Sequence, residues 1–413
     1  GSVFYRDIFF TNFPLLPYIS SIYFLLTAGS LNLFFLTPTI EVSAVAFIIY
    51  LITYEKYQEN MPAFISSSLY LFSFIILSTS DHQSGVFIAS LFSVLGYYFY
   101  LNKKYLISGV FVALMLLTKA YFLPILLSFI VLFLWERKFE KVIKFCIGAA
   151  ITSIIVMSPT LIFGLQDFIK DVFIYSLTRS QGIEKSGIIW FFITHDLPLF
   201  ILLIFNLIMI KKNKFFGLIS LLGIIFIFFY KDVYFLYLNF LIPFLALSYP
   251  EFEKIIKEKF GVQKLMLPTF IFGFLIFSFV TYTNGFRNLQ KINLDKATEI
   301  IKKENPKSLY GVNDVAPALA YLSGVPMLNN IIDTNANIYR KGFLNSKKLT
   351  TDAIKQKAII VAHGAYYPEM GVNEEVTDEI FDKDQVKKFC KLIGSFPVQT
   401  EGPENRLNIL RCF

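Results

Sequence analysis

The stretch LMLPTFIFGFLIFSFVTYTNGFRNLQKINLDKATEIIKKENPKS, residues 265–308, decides how the chain is to be read, because it changes solvent midway. Its first 19 residues carry no Asp, Glu, Lys or Arg, and a helix of that length crosses roughly 30 Å of bilayer hydrocarbon. From about residue 284 charged residues return at the density of an ordinary soluble protein. The chain therefore predicts two parts, a membrane-embedded one over residues 1–283 and a soluble domain over 284–413.

Working upstream, similar apolar runs recur at about 38–54, 61–79, 85–101, 104–118, 120–135, 142–164, 188–210, 215–229 and 233–249, which with 265–283 makes roughly ten spans. The composition agrees: 55% of residues are hydrophobic, 16% are charged and the mean hydropathy is +0.59. Backbone groups in lipid must be satisfied internally, and runs this long without period-2 alternation predict helices, not an outer-membrane barrel. The fold class expected is thus mainly α, a polytopic transmembrane helix bundle followed by a small α/β domain.

If 38–54 runs inward, the linkers YEKYQEN, NKK, ERKFEKVIK, KKNK and EFEKIIKEKFGVQK lie in the cytoplasm with about 14 Lys or Arg, against about 6 in the outer linkers before residue 284. This asymmetry puts the C-terminal domain outside the cell membrane and explains the basic balance of +8 without a nucleic-acid partner. Residues 14–36, with Pro14, Pro17, Gly29 and Asn32, read as interfacial helices on the outer leaflet, since counting them as a crossing would invert every later loop.

Within the soluble part, KATEIIKKE, DVAPALAYLSG and KDQVKKFCKLIG read as helices, and SLYGV, AIIVAHG and LNILRCF as strands. Cys390 and Cys412 both fall there, but their spacing does not establish that they meet. Asp314, Asp333 and His363 form no recognisable constellation. Zinc and redox cysteine motifs, phosphate loops, dinucleotide fingerprints and internal repeats are missing from the sequence.

The unusual polar residues of the membrane part gather on its predicted outer side: Arg6, Asp7, Asp81, His82, Gln83, Lys119, Asp167, Lys170, Asp171, Arg179, Glu184, Lys185, His195, Asp196, Lys231 and Asp232. Four stretches among them, GSVFYRDIFFTNFPLLPYI, STSDHQSG, GVFVALMLLTKAYFLP and FFYKDVYFLYLNFLIPFLAL, taken in order, resemble GT-C membrane glycosyltransferases of the protein O-mannosyltransferase and lipid A aminoarabinose transferase type. SLYGVNDVAPALAYLSGVPMLNNIIDT is similar to the outer domain that some relatives carry. The resemblance implies a GT-C-like bundle transferring a sugar from a polyprenyl- or dolichyl-phosphate donor to a protein, lipid or glycan acceptor at the outer face of the bilayer. It also implies that a first transmembrane helix, with the family's usual catalytic acidic residue, lies upstream of Gly1.

The chemistry needs cations for the lipid phosphate that leaves and a carboxylate for the acceptor proton. Arg6, Lys119, Arg179 and Lys231 are the phosphate-binding candidates, Asp7 and Asp81 the catalytic ones, and His82, His195, Tyr234 and Tyr237 the substrate-binding ones. No cofactor is required by this scheme; a divalent cation on Asp7 and Asp81 is an alternative, and three His without i, i+4 spacing argue against a dedicated zinc site. Each candidate also has a plainer reading: an interfacial ion pair for Arg6 and Asp7, a helix cap for Asp81, snorkelling for Lys119, an aromatic belt for the tyrosines. A polyprenyl-lipid or solute transporter and a non-catalytic membrane scaffold are the rival functions.

Overall fold

In the computed structural model, residues 4–80, 83–179, 182–260, 266–287, 294–367, 372–398 and 404–413 are described. Contacts divide the chain into two compact units. One comprises Asn12–Leu161 and Ser180–Asn284, the other Gly1–Thr11, Ile162–Arg179 and Gly285–Phe413. The solvent change read from the sequence coincides with the last of these boundaries. The recruitment of residues 1–11 and 162–179 into the C-terminal unit has no counterpart in it.

The first unit is helical throughout. Among the described residues, Leu31–Tyr57, Phe139–Phe163 and Leu267–Gly285 are long and apolar enough to cross a membrane, and two bent helix pairs raise the number to five if each is one span. The expected ten is not reached by length, because several apolar runs fold as shorter helices of 10–17 residues, Val86–Leu101, Tyr105–Thr118, Ala120–Trp135 and Lys214–Phe229. The run at 61–79 breaks in the same way, into Asn60–Leu71 and Phe74–Thr79. Residues 14–36 likewise form Leu15–Leu26 and the one-turn Leu31–Phe34 instead of one crossing; twelve residues reach only about 18 Å.

The bundle core is aromatic as well as aliphatic. Tyr97 stacks on Phe215 at 4.6 Å, and Phe129 and Phe244 close on the same ring at 4.7 and 5.7 Å. Helices Tyr105–Thr118 and Phe139–Phe163 meet backbone to backbone: a Cβ on Gly109 would stand 2.0 Å from the Phe145 carbonyl oxygen, and one on Gly148 2.1 Å from that of Leu106. Small residues at such a crossing let the two backbones approach this closely.

The second unit is built on a sheet in the order β1-β2-β5-β4, with β3 also on β2. The strands are β1 (Leu309–Gly311), β2 (Ile359–Tyr367), β3 (Val372–Glu374), β4 (Cys390–Val398) and β5 (Glu404–Cys412). β1 pairs with β2 in parallel, and every other pairing is antiparallel. Helices Leu294–Glu304, Ala316–Ser323, Ser346–Lys355 and Lys383–Phe389 accompany the sheet. The core is Leu309, Tyr310, Ile359–Val361, Leu407, Ile409 and Leu410, all inaccessible to solvent.

Three predicted strands and the first two helices appear within a few residues of their expected bounds. The third helix does not run to Gly394. It ends at Phe389, and Cys390 starts β4, because Cys390 registers opposite Cys412 and the two form a disulfide.

Candidate functional site

In the C-terminal unit, residues 4–8 form a tight loop with Tyr5 in the left-handed region (φ 71°), its N–H donating to the Ile8 carbonyl at 3.0 Å. Tyr5 is buried and meets Phe168 edge-on at 5.0 Å, so the strained residue is held by packing. The loop turns Arg6 and Asp7 outward as a two-pronged ion pair: Nε donates to Oδ1 and Nη2 to Oδ2, both at 2.9 Å. The carboxylate raises the Arg6 guanidinium above its ordinary value. Asp7 thus meets its sequence neighbour with both oxygens, and must leave that pair to accept a proton from a substrate.

Helix Leu165–Phe168 continues as a single π-helical stretch, Ile169–Ile174, before Tyr175–Thr178. The wider turn buries Asp171, whose Oδ2 accepts the Phe10 N–H at 3.4 Å. Burial pushes this carboxyl up to about 6, against the pull of the Phe10 N–H and Lys170. Arg179 follows, its guanidinium 4.9 Å from the Tyr175 ring centre. Tyr175 is edge-on to Phe9 at 5.8 Å and to Phe343 at 5.3 Å. Asp333 faces Arg179: burial raises its carboxyl, while the Asn335 N–H and the Arg179 charge draw it back down. Arg6, Asp7 and Arg179, distant in sequence, therefore belong to one compact unit with the C-terminal domain.

The same unit corrects the reading of Asp314 and His363. His363 Nδ1 lies 2.9 Å from Asp378 Oδ1, its backbone N–H donates to Asp378 Oδ2 at 2.6 Å, and Nε2 lies 3.2 Å from Asp314 Oδ2. The hydrogen bonds that its ring N–H groups donate to Asp314 and Asp378 lift the imidazole to about 10, which makes it a cation held between two carboxylates at neutral pH, with Asp314 drawn down in return. A ring so engaged fastens β2 to its flanking loops; it has no nitrogen left to act as a base. Asp378 was missed because nothing local marks a partner fifteen residues downstream.

In the helical unit, Lys119 occupies an extended break between Tyr105–Thr118 and the 3-10 turn Ala120–Phe122, and its Nζ donates to Asn12 Oδ1 at 2.7 Å. The turn at 230–233 is pinned to 182–185: the Gly182 N–H donates to the Lys231 carbonyl at 3.2 Å, the Ile183 N–H to that of Val233 at 3.0 Å, and Lys185 Nζ to that of Tyr230. Lys231 is exposed at its tip and Asp232 is buried. Four tyrosines connect the two turns. Tyr237 lies 4.3 Å from Tyr121, 5.8 Å from Tyr230 and 6.3 Å from Tyr234 between ring centres. The sequence reading missed Tyr121, Tyr230 and Asn12; the first two stand beside the charged residues that drew notice.

His195 and Asp196 sit at a bend of 112° between Lys185–His195 and Leu197–Ile208. Asp196 is buried, and its two oxygens accept the Phe74 and Ile75 N–H groups at 2.8 and 3.1 Å, capping helix Phe74–Thr79 from another part of the chain. His195 packs on Phe191 at 4.3 Å and on Phe74 at 4.6 Å, with Nδ1 3.1 Å from the Phe191 carbonyl. Asp81 and His82 lie outside the described residues. Among the described residues, no group of three or more His, Cys, Asp or Glu could hold a metal ion.

No protein-family model matches this chain, and comparison with curated proteins finds none that matches it.

Proposed function

We propose that the chain is the body of an integral membrane glycosyltransferase that moves a sugar from a polyprenyl- or dolichyl-phosphate donor to an acceptor hydroxyl at the outer membrane face. One observation carries the reading. Residues 1–11, 162–179 and 285–413 form a single unit, so they share one side of any membrane, and an even number of predicted crossings separates each from the next. In this reading Arg6, Asp7 and Arg179 share that side with the C-terminal domain, and the positive-inside count of the sequence favours the outer one.

The scheme then needs little more. Arg6 and Arg179 of the one unit, or Lys119 and Lys231 of the other, are the candidates for fixed positive charge on the departing lipid phosphate. A carboxylate, Asp7 or Asp81, accepts the acceptor hydroxyl's proton as its oxygen bonds to the anomeric carbon, and the sugar–phosphate bond breaks on the opposite side with inversion. A donor phosphate that binds Arg6 releases Asp7 from its ion pair, so donor binding itself would free the base.

The test is transfer from radiolabelled polyprenyl-phosphate sugars to acceptor extract by the intact protein. Asp7→Ala and Asp81→Ala should each lower it by about 100-fold or more. Absence of transfer with every donor, together with lipid or solute movement in liposomes without a donor, would sink the enzyme reading in favour of transport.

A further inference from the structure

The sequence reading passed over Glu41, which lies in the outer turns of the first long apolar helix, Thr37–Tyr57, and is 4% exposed. A carboxyl inside a bundle of spans is costly, and one that persists is a functional candidate whose partners must be named. Its carboxyl interacts electrostatically with the Tyr23 hydroxyl on helix Leu15–Leu26, the Ile88 backbone N–H in the first turn of Val86–Leu101 and the Tyr70 hydroxyl. Its Oε1 has no hydrogen-bond partner among the described residues.

The surrounding contacts close a ring. One turn earlier on the same helix face, the Thr37 hydroxyl lies 3.2 Å from the Gln83 side-chain amide. Gly85, which starts Val86–Leu101 at φ +77°, is pressed so closely on the interfacial helix that a Cβ there would stand 2.4 Å from Leu16 and 3.2 Å from Thr118. Thr118 precedes Lys119, which reaches back to Asn12, two residues before that interfacial helix. Glu41 touches this ring at two places, the interfacial helix through Tyr23 and the Gly85 turn through Ile88.

We propose that Glu41 is a positioning residue that fixes the interfacial helix and the Gly85 turn against each other, and so sets the place of Lys119 and Asn12. It acts through them and meets no substrate. Its role in transfer rests on the glycosyltransferase reading, whereas its role in geometry does not.

The experiment therefore has two arms on the full chain in lipid nanodiscs. Spin labels at Ser21→Cys and Lys103→Cys in a Cys146→Ser background report the distance between the interfacial helix and the far end of Val86–Leu101. A narrow distribution with Glu41 and with Glu41→Gln, and one broadened or displaced by roughly a helical turn, about 5 Å, with Glu41→Leu, is expected. In the transfer assay Glu41→Leu should lose about 10- to 100-fold in kcat at unchanged donor KM and near-unchanged melting temperature, and Glu41→Gln should restore most of it. A wild-type distance distribution in Glu41→Leu overturns the proposal, as does a loss of transfer that only tracks loss of folded protein. Should the unsubstituted protein transfer no sugar, the functional reading fails while the distances still decide the part played by Glu41.

Discussion

The two units offer a contrast in how particular charged side chains are met, although each also holds the other kind, Asp171 on the Phe10 N–H in one and Glu253 with Lys257 in the other. In the C-terminal unit ionised side chains meet ionised side chains: Arg6 with Asp7, Arg340 with Glu379, His363 with Asp314 and Asp378. Asp196 and Glu41, two buried carboxyls of the helical unit, instead lie toward backbone N–H groups at the starts of other helices. An exposed helix terminus inside a bilayer leaves donors that lipid cannot satisfy, so one carboxylate can cap the helix and be stabilised by its dipole at once. In water the same groups have solvent as an alternative, and a countercharge offers more than a cap.

That contrast can be broken, and the largest effect is expected in the bundle. Asp196→Leu orphans two N–H groups and should cost about 4 kcal/mol of stability in detergent, with Asp196→Asn recovering most of it; equal melting temperatures for all three proteins would show that the cap is dispensable. Next is the disulfide: Cys390→Ser with Cys412→Ser should cost the C-terminal unit about 3 kcal/mol, read as faster amide exchange in β4 and β5 and unaltered exchange in the helices of the bundle. His363 comes third. Its raised value gives stability that is complete below about pH 6.5 and is lost as pH climbs through about 10, worth about 2 kcal/mol once partial exposure is allowed for. Amide protection of β2 should decline across that window, and His363→Ala should flatten the decline; a decline that persists in the variant assigns it to another group. Smallest is Arg6→Ala, which should leave the melting temperature unchanged because its ion pair is solvated, yet impair sugar transfer. A matching fall in both would make Arg6 a structural residue.

Much of this was legible in the sequence. Apolar runs marked the helices, and the short apolar run in AIIVAHG marked β2; the composition change near 284 falls where one contact boundary lies. What failed had physical reasons. KDQVKKFCKLIG keeps helical character through Leu392, and only the pairing of Cys390 with Cys412 turns its second half into β4. The Asp314, His363 and Asp378 cluster depends on contacts between separate loops, which no local pattern encodes. Glu41 hid because a lone acid in an apolar run looks like an interruption of a span, and Tyr23 and Ile88 come beside it only when three helices pack. Of the candidate residues, Arg6, Asp7 and Arg179 gathered in one unit and Lys119, Lys231, Tyr234, Tyr237 and His195 in the other.

The aromatic clasp of Phe9, Tyr175 and Phe343 sets an order of assembly. Phe9 and Phe343 stand roughly 330 residues apart, so at ordinary translation rates Phe9 is made on the order of tens of seconds before the ring it packs on. During that interval Phe9 and Tyr175 lack the third ring of their cluster, while Tyr5 already has Phe168 to pack on. The Phe9 segment would thus reach its final packing only once the chain as far as Phe343 has been made.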